Sequence, residues 1–93
     1  MKLIWLPEAK DDVDRLYIFL MDINPASAAK ALQGILDGSQ NLQEYPHSGK
    51  PMPDETGRRE YFIPFGAGSY VLRYKLSEET IVIIRVWHSR EAR

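Results

Sequence analysis

Cysteine is absent from the 93 residues. That excludes a disulfide framework and a thiolate zinc site, and it accords with a reducing compartment. There are two histidines, His47 and His88. They are far apart in sequence with no cysteine near either, so no metal site is expected, and no cofactor motif is present. "GAGS" (66–69) reads as a hairpin turn rather than a phosphate cradle, because no helix follows it. A serine–histidine hydrolase is equally unsupported: Ser48 and Ser89 adjoin histidines in sequence, whereas triads are assembled in space. Long hydrophobic runs are missing too. No segment approaches the ~20 apolar residues of a membrane span, and the opening "MKLIWLPEAKDD" has too short an apolar run for a signal peptide. A soluble, cytoplasmic protein with no membrane partner is expected. Net charge is −1, which argues against holding bare nucleic acid by charge alone.

What is present fits one domain, residues 1–93, with a thin core. Charge is unevenly spread. Residues 1–57 hold five Lys/Arg and nine Asp/Glu; residues 58–93 hold seven and four. "KLIWL" (2–6) reads as a short strand ending at Pro7. Pro7 then suits a first helical position, with Glu8, Asp11 and Asp12 where the helix dipole favours negative charge. Ala9, Val13, Leu16, Tyr17 and Leu20 recur at helical spacing, and this helix should stop near Asp22–Ile23. Asn24 and Pro25 start a second helix as N-cap and N1. Its apolar stripe is Ala28, Ala29, Leu32, Ile35, Leu36 and Leu42, and its small residues allow a close helical hairpin. Gly34 and Gly38 weaken it by about 1 kcal/mol each and mark candidate points of close backbone approach.

"EYPHSGKPMPDETG" (44–57) reads as loop, because its prolines and glycines interrupt any ladder or helix. Three strands follow: "RREYFI" (58–63), "SYVLRYKL" (69–76) and "TIVIIRVWH" (80–88), joined by tight hairpins. The expected fold is α+β, in the order β-α-α-β-β-β. A helical hairpin packs on one face of a mostly antiparallel four-stranded sheet.

Alternation assigns faces. Tyr70, Leu72, Tyr74 and Leu76 should lie under the helices, with Val71, Arg73 and Lys75 opposite. Arg85 cannot sit unpaired in a core. That places Val82, Ile84, Val86 and His88 under the helices, and Ile81, Ile83, Arg85 and Trp87 on the uncovered face. An uncovered apolar face dotted with arginines marks an interface; the plainer alternative is that the 44–57 loop or the C-terminal tail folds over it. On this assignment Arg85 serves a partner more than the fold. His88, at a strand end, reads as structural before catalytic.

In order and spacing, "IWLPEAKDDVDRLYIFL", "NPASAAKAL", "LQEYPHSGKP", "GRREYFIPF", "YVLRYKL" and "VIIRVWHSRE" resemble the RelE/ParE superfamily of bacterial type II toxins over nearly the whole chain. The resemblance implies the same β-α-α-β-β-β architecture, a role in plasmid stabilisation or growth arrest, and a cognate antitoxin through which alone operator DNA would be met. RelE-like members cleave mRNA on the ribosome; ParE-like members poison DNA gyrase. RNA cleavage needs a proton acceptor, a proton donor and cations around the phosphate. Tyr70 is followed by Val71 where RelE-like chains often carry an arginine, and "YFI" stands where they carry lysines. Of their C-terminal basic residues only His88 and Arg90 have counterparts. The ParE-like branch is therefore favoured, as a gyrase inhibitor that is not itself an enzyme. The alternatives are a ribosome-dependent mRNA interferase using His88 and Arg90, and a non-toxic interaction module. Candidate contacts with target or antitoxin are Arg58, Arg59, Tyr61, Arg73, Arg85, Trp87 and Arg90, with Arg93 adding to the basic C-terminal cluster.

Overall fold

A computed structural model describes residues 1–91 of the chain; Arg93 lies outside the described residues. The elements are β1 (Lys2–Trp5), α1 (Pro7–Ile23), α2 (Pro25–Glu44), β2 (Lys50–Pro51), β3 (Arg58–Phe65), β4 (Gly68–Ser77) and β5 (Thr80–His88). The α+β architecture and the order of its main elements are those expected. The sheet, however, has five strands in the order β1-β5-β4-β3-β2. The extra one is the two-residue β2, in which Lys50 and Pro51 pair with Glu60 and Arg59 of β3. Two residues between prolines carry no readable alternation, which is why the stretch reads as loop. β1 runs parallel to β5 and the remaining pairings are antiparallel.

Asn24 both ends α1 and begins α2. In extended conformation (φ −156°), it donates its backbone N–H to Leu20 O at 2.7 Å. Its Oδ1 accepts from the N–H groups of Ala26 and Ser27 at 3.0 and 3.2 Å, an N-cap that satisfies two otherwise orphaned donors. Ala28 and Ala31 are buried, as the close hairpin requires. Ala29 and Leu36, expected in the stripe, are exposed. Gly38 does sit at a close approach, but to a side chain rather than a backbone: a Cβ there would stand 2.4 Å from Ile63 Cδ1. Gly34 has ordinary room.

β3 continues through Pro64 to Phe65, past the expected stop. Arg58 turns its carbonyl towards the β2 side, where it accepts from Met52 N at 2.9 Å. By alternation the nitrogen of Pro64 points to that same side, beyond the reach of β2. No ladder bond is lost there, which is where a strand tolerates proline.

The face assignment of β5 changes halfway along. Arg73 pairs with Arg85 and Tyr74 with Ile83, so Ile84 is left over as a β-bulge. An extra residue reverses the alternation beyond it. Ile81 and Ile83 therefore face the helices before the bulge, and Val86 and His88 after it. Ile81, Ile83 and Val86 are all fully buried. This corrects the expectation that Ile81 and Ile83 lie on the uncovered face; each is worth about 1.5–3 kcal/mol of burial to the core instead. The uncovered face keeps Trp87 and gains Val82, which was expected under the helices; Ile4, Phe62 and Val71 join them from neighbouring strands.

The bulge also explains Arg85. β1 ends at Trp5, opposite Ile83, so beyond that point β5 is an edge strand flanked by α1. The Asp12 carboxylate fills the gap. Its Oδ2 accepts from Val86 N at 2.9 Å and from Arg85 Nε at 2.8 Å, and its Oδ1 from Arg85 Nη2 at 3.0 Å. Arg85 thus leaves the uncovered face over the sheet edge and binds α1. Asp12 was read as a dipole residue, yet it occupies the buried helical stripe between Ala9 and Leu16 and is itself buried. Burial opposes its ionisation and is the largest single influence. The Arg85 hydrogen bond, the Val86 N–H, the Arg85 charge and Arg15 together outweigh it, and its pKa falls below the ordinary 3.8.

Of the 44–57 loop, only its end reaches the uncovered face, where Asp54 and Thr56 hold Arg58 beside Lys75. Its first part, around residues 46–49, seals the helix-covered side, where the Tyr74 hydroxyl donates to Pro46 O at 2.8 Å and accepts from Gly49 N at 2.9 Å. Gly49 lies so close that a Cβ would come within 2.4 Å of that hydroxyl and 2.8 Å of the ring carbon bearing it. Tyr74 is fully buried and cannot swing aside. Gly49→Ala is therefore expected to destabilise by about 1–3 kcal/mol through overpacking, read as a lower Tm.

Asp12→Asn and Arg85→Ala are each expected to cost about 1–3 kcal/mol, the upper end discounted because Arg85 is part-exposed. A double-mutant cycle by thermal melts should show coupling between them. The depressed pKa of Asp12 means that its contribution is present above the unfolded-state value and lost as pH falls through the folded-state value. Stability should therefore decline below about pH 4, and less steeply in Asp12→Asn. Asp54, whose bonds to Thr56 and Arg58 lower its pKa to about 2, titrates in the same window. It is exposed, so high salt should weaken the Arg58 part of its share more than it weakens the share of the buried Asp12.

Candidate functional site

The residues expected to meet a partner do not form one surface. Arg73 and Trp87 do lie together on the uncovered face: the Arg73 guanidinium stands 4.8 Å from the Trp87 ring centroid. Arg73 also pairs with Glu60 at 2.7 and 3.1 Å, which removes much of its charge from the face. Arg58 is held by Asp54 at 2.9 Å and by Thr56. Arg59 and Tyr61 alternate onto the helix-covered side. Arg59 donates to the carbonyls of Gly49 and His47 at 3.0 Å each, anchoring the loop. The Tyr61 hydroxyl accepts from Asn41 Nδ2 at 2.8 Å, tying α2 to β3. Arg85 belongs to Asp12, as above. The picture of a cationic face awaiting a partner is thus corrected. Four of its arginines already have carboxylate or carbonyl partners within the chain, and a fifth, Arg15, not singled out from the sequence, joins Asp12 to Glu91.

The exception is Arg90. Its guanidinium makes no hydrogen bond or ion pair among the described residues, and it stands at the rim of a cleft of about 600 Å³. The walls are the middle of α1, with Leu16, Phe19 and Leu20, and the β3–β4 turn at Phe65, Gly66 and Ala67. Arg15, Tyr70, His88 and Glu91 complete the lining. Helical spacing brings Leu16, Phe19 and Leu20 to one side of α1. Leu16 is buried, whereas Phe19 is 63% exposed. The cleft is apolar with a few polar groups converging on it, the usual character of a binding site.

The polar groups are unequally occupied. His88 Nε2 lies 2.9 Å from Phe65 O, and His88 Nδ1 accepts from Arg90 N at 3.2 Å. A carbonyl can only accept and a backbone N–H can only donate, so the neutral Nε2–H tautomer is the one that fits both. The ring is also packed edge-on against Tyr70, centroids 5.0 Å apart. Glu91 accepts from His88 N at 2.7 Å and from Arg15, which clasps the C-terminal turn to α1. Tyr70 is only 3% exposed, and its hydroxyl has no hydrogen-bond partner among the described residues. Among those residues no fully enclosed side-chain polar atom is left unpaired, so this oxygen opens on the cleft. Burial, and then the charge of Glu91, raise its pKa above the ordinary 10; the phenol is a neutral donor at pH 7. Val71, next to it, is 2% exposed and points to the other face between Phe62 and Trp87.

The described residues contain no cluster of three or more histidine or acidic groups that could hold a metal. No helix among them is long and apolar enough to cross a membrane. From the sequence, His88 and Arg90 were placed correctly at a strand exit. Phe19, Phe65 and Tyr70 were not grouped with them, because only the tertiary fold brings α1 beside the β3–β4 turn.

The chain matches the family model described as the ParE toxin of the type II toxin–antitoxin system parDE over residues 3–93. It is 38% identical to the toxin RelE1 of Caulobacter vibrioides over 88 residues, 91% of this chain and 89% of that one. To the toxin RelE3 of the same organism it is 32% identical over 87 residues, 94% and 92% of the two chains. Among solved structures it resembles one described as the chromosomal ParDE TA system from P. aeruginosa, with a TM-score of 0.74 and 27% identity over 95% of both chains. With the family model spanning almost every residue and the expected architecture in place, the chain belongs to the ParE toxin family of type II toxin–antitoxin systems.

Proposed function

We propose that this toxin disables DNA gyrase, trapping cleaved DNA without cutting nucleic acid itself, and that a cognate antitoxin neutralises it. The observation that carries this reading is the state of His88. Both of its ring nitrogens are engaged by backbone groups, so neither is poised to take or give a proton in 2′-hydroxyl attack. General acid–base catalysis needs such a group within hydrogen-bond reach of the substrate. The cations that would steady a crowded phosphate are also wanting. Val71 occupies the position after Tyr70, and Arg73, Arg58 and Arg85 are paired with carboxylates. A protein target fits an apolar cleft and an apolar sheet face better than an RNA strand does.

A second reading is favoured by the names of the two Caulobacter relatives, RelE1 and RelE3. Ribosome-dependent mRNA cleavage would use Arg90, whose guanidinium is unpaired among the described residues, and would require His88 to release one of its two bonds on substrate binding.

Purified toxin in excess over gyrase is expected to stop supercoiling and to accumulate cleaved plasmid. In cells, the DNA-damage response should rise while reporter mRNA stays intact by primer extension. Undisturbed supercoiling, together with new ribosome-dependent mRNA ends that vanish in His88→Ala, would replace this reading with the second. Expression without growth arrest would leave only a non-toxic interaction module.

A further inference from the structure

We propose that the cleft between α1 and the β3–β4 turn is a recognition pocket for the antitoxin, taking a bulky apolar side chain and a neighbouring carboxylate from it through the Tyr70 hydroxyl and the Arg90 guanidinium. The proposal rests on the toxin–antitoxin reading above and names the chemistry of one contact.

Three observations carry it. Tyr70 is 97% buried, and yet its hydroxyl opens on the cleft with no partner among the described residues. A nearly buried phenol normally finds a hydrogen-bond partner, so this donor is aimed at something outside the chain. Arg90 is on the same cleft, and its guanidinium is likewise unbonded among the described residues, whereas Arg15, Arg58, Arg59, Arg73 and Arg85 all have partners inside the chain. Finally, the floor between these two donors is apolar, with Leu16, Leu20 and Phe65, and Phe19 extends it onto the exposed surface of α1. A volume of about 600 Å³ accommodates one or two large side chains.

The chemistry selects the occupant. Two donors call for an acceptor, and the free positive charge calls for an anionic one. Glu91 is nearby but already accepts from Arg15 and from His88 N, so it does not supply that acceptor. Nucleic acid is a poor match, since one free guanidinium over an apolar floor does not follow a phosphate backbone. A peptide with a leucine- or phenylalanine-like residue beside an aspartate, glutamate or terminal carboxylate satisfies all three features. The Arg15–Glu91 clasp holds the pocket in shape by fixing the turn that carries Arg90 to the helix that supplies the floor.

The test uses the full-length toxin and the full-length antitoxin encoded by the adjacent open reading frame, with affinity measured by titration calorimetry. Tyr70→Phe is expected to weaken binding about 3–10-fold, the worth of one hydrogen bond, and Arg90→Ala about 10–100-fold, with partial recovery in Arg90→Lys. Because the hydroxyl bonds nothing among the described residues, Tyr70→Phe should leave the Tm of the free toxin unchanged; a fall in Tm would overturn the premise. Unaltered antitoxin affinity in both variants, with a wild-type chain that binds normally, would overturn the pocket alone. Unaltered affinity with loss of growth arrest would assign the cleft to the target instead, which also overturns it. A wild-type toxin that neither binds that antitoxin nor arrests growth would overturn the toxin–antitoxin reading beneath it.

Discussion

The structure turns on one carboxylate at the place where the sheet is incomplete. β1 is four residues long and β5 nine, so half of β5 runs on with no neighbour on one side. A single bulge residue, Ile84, makes room for this. It changes which side chains face the helices, leaves Arg85 at the edge, and presents the Val86 N–H outward. Asp12 then does for β5 what a missing strand would have done, and does it from α1. The same group thereby fixes the helix to the sheet. A buried charge without such partners would be costly; with three donors around it, the charged form is the favoured one.

That arrangement shapes what the two faces can offer a partner. A first inspection of the basic half of the chain shows a positive surface. In the fold, most of its arginines are structural: Arg58 pairs with Asp54, Arg59 anchors the loop, Arg73 pairs across the strands and Arg85 serves Asp12. Among the arginines of the described residues, the one left unpaired for recognition is Arg90, at the C-terminal turn. The reading as a protein-directed toxin follows from this economy of free cations as much as from His88.

The helices and the hairpins were legible in the residues because their signals are local. Pro7, Asn24 and Pro25 place the helix starts, and strict alternation in β4 assigns its faces correctly. β2 was illegible because two residues carry no periodicity. β5 misled for a different reason. Period two holds on each side of Ile84 but not through it, and a run of β-branched residues gives no sign of where the extra residue falls. Exclusion from the core leaves Arg85 more than a choice between two faces, because the edge of the sheet is a third position. Asp12 offered a clue: at three residues after Ala9 and four before Leu16 it lies on the buried stripe of α1. The cleft had no comparable signal, since its walls come from segments some fifty residues apart.

The carboxylates along the unpaired part of β5 have one more effect. Asp12 occupies the outward N–H of Val86, and Glu91 that of His88. Exposed strand margins are where copies of a protein zip together into fibres, and on this stretch both donors that such growth would need are already taken. Another open margin, on β3 beyond the reach of β2, is blunted by Pro64, which has no N–H to give. The groups that complete the fold thus also cap this stretch of the sheet against pairing with another strand.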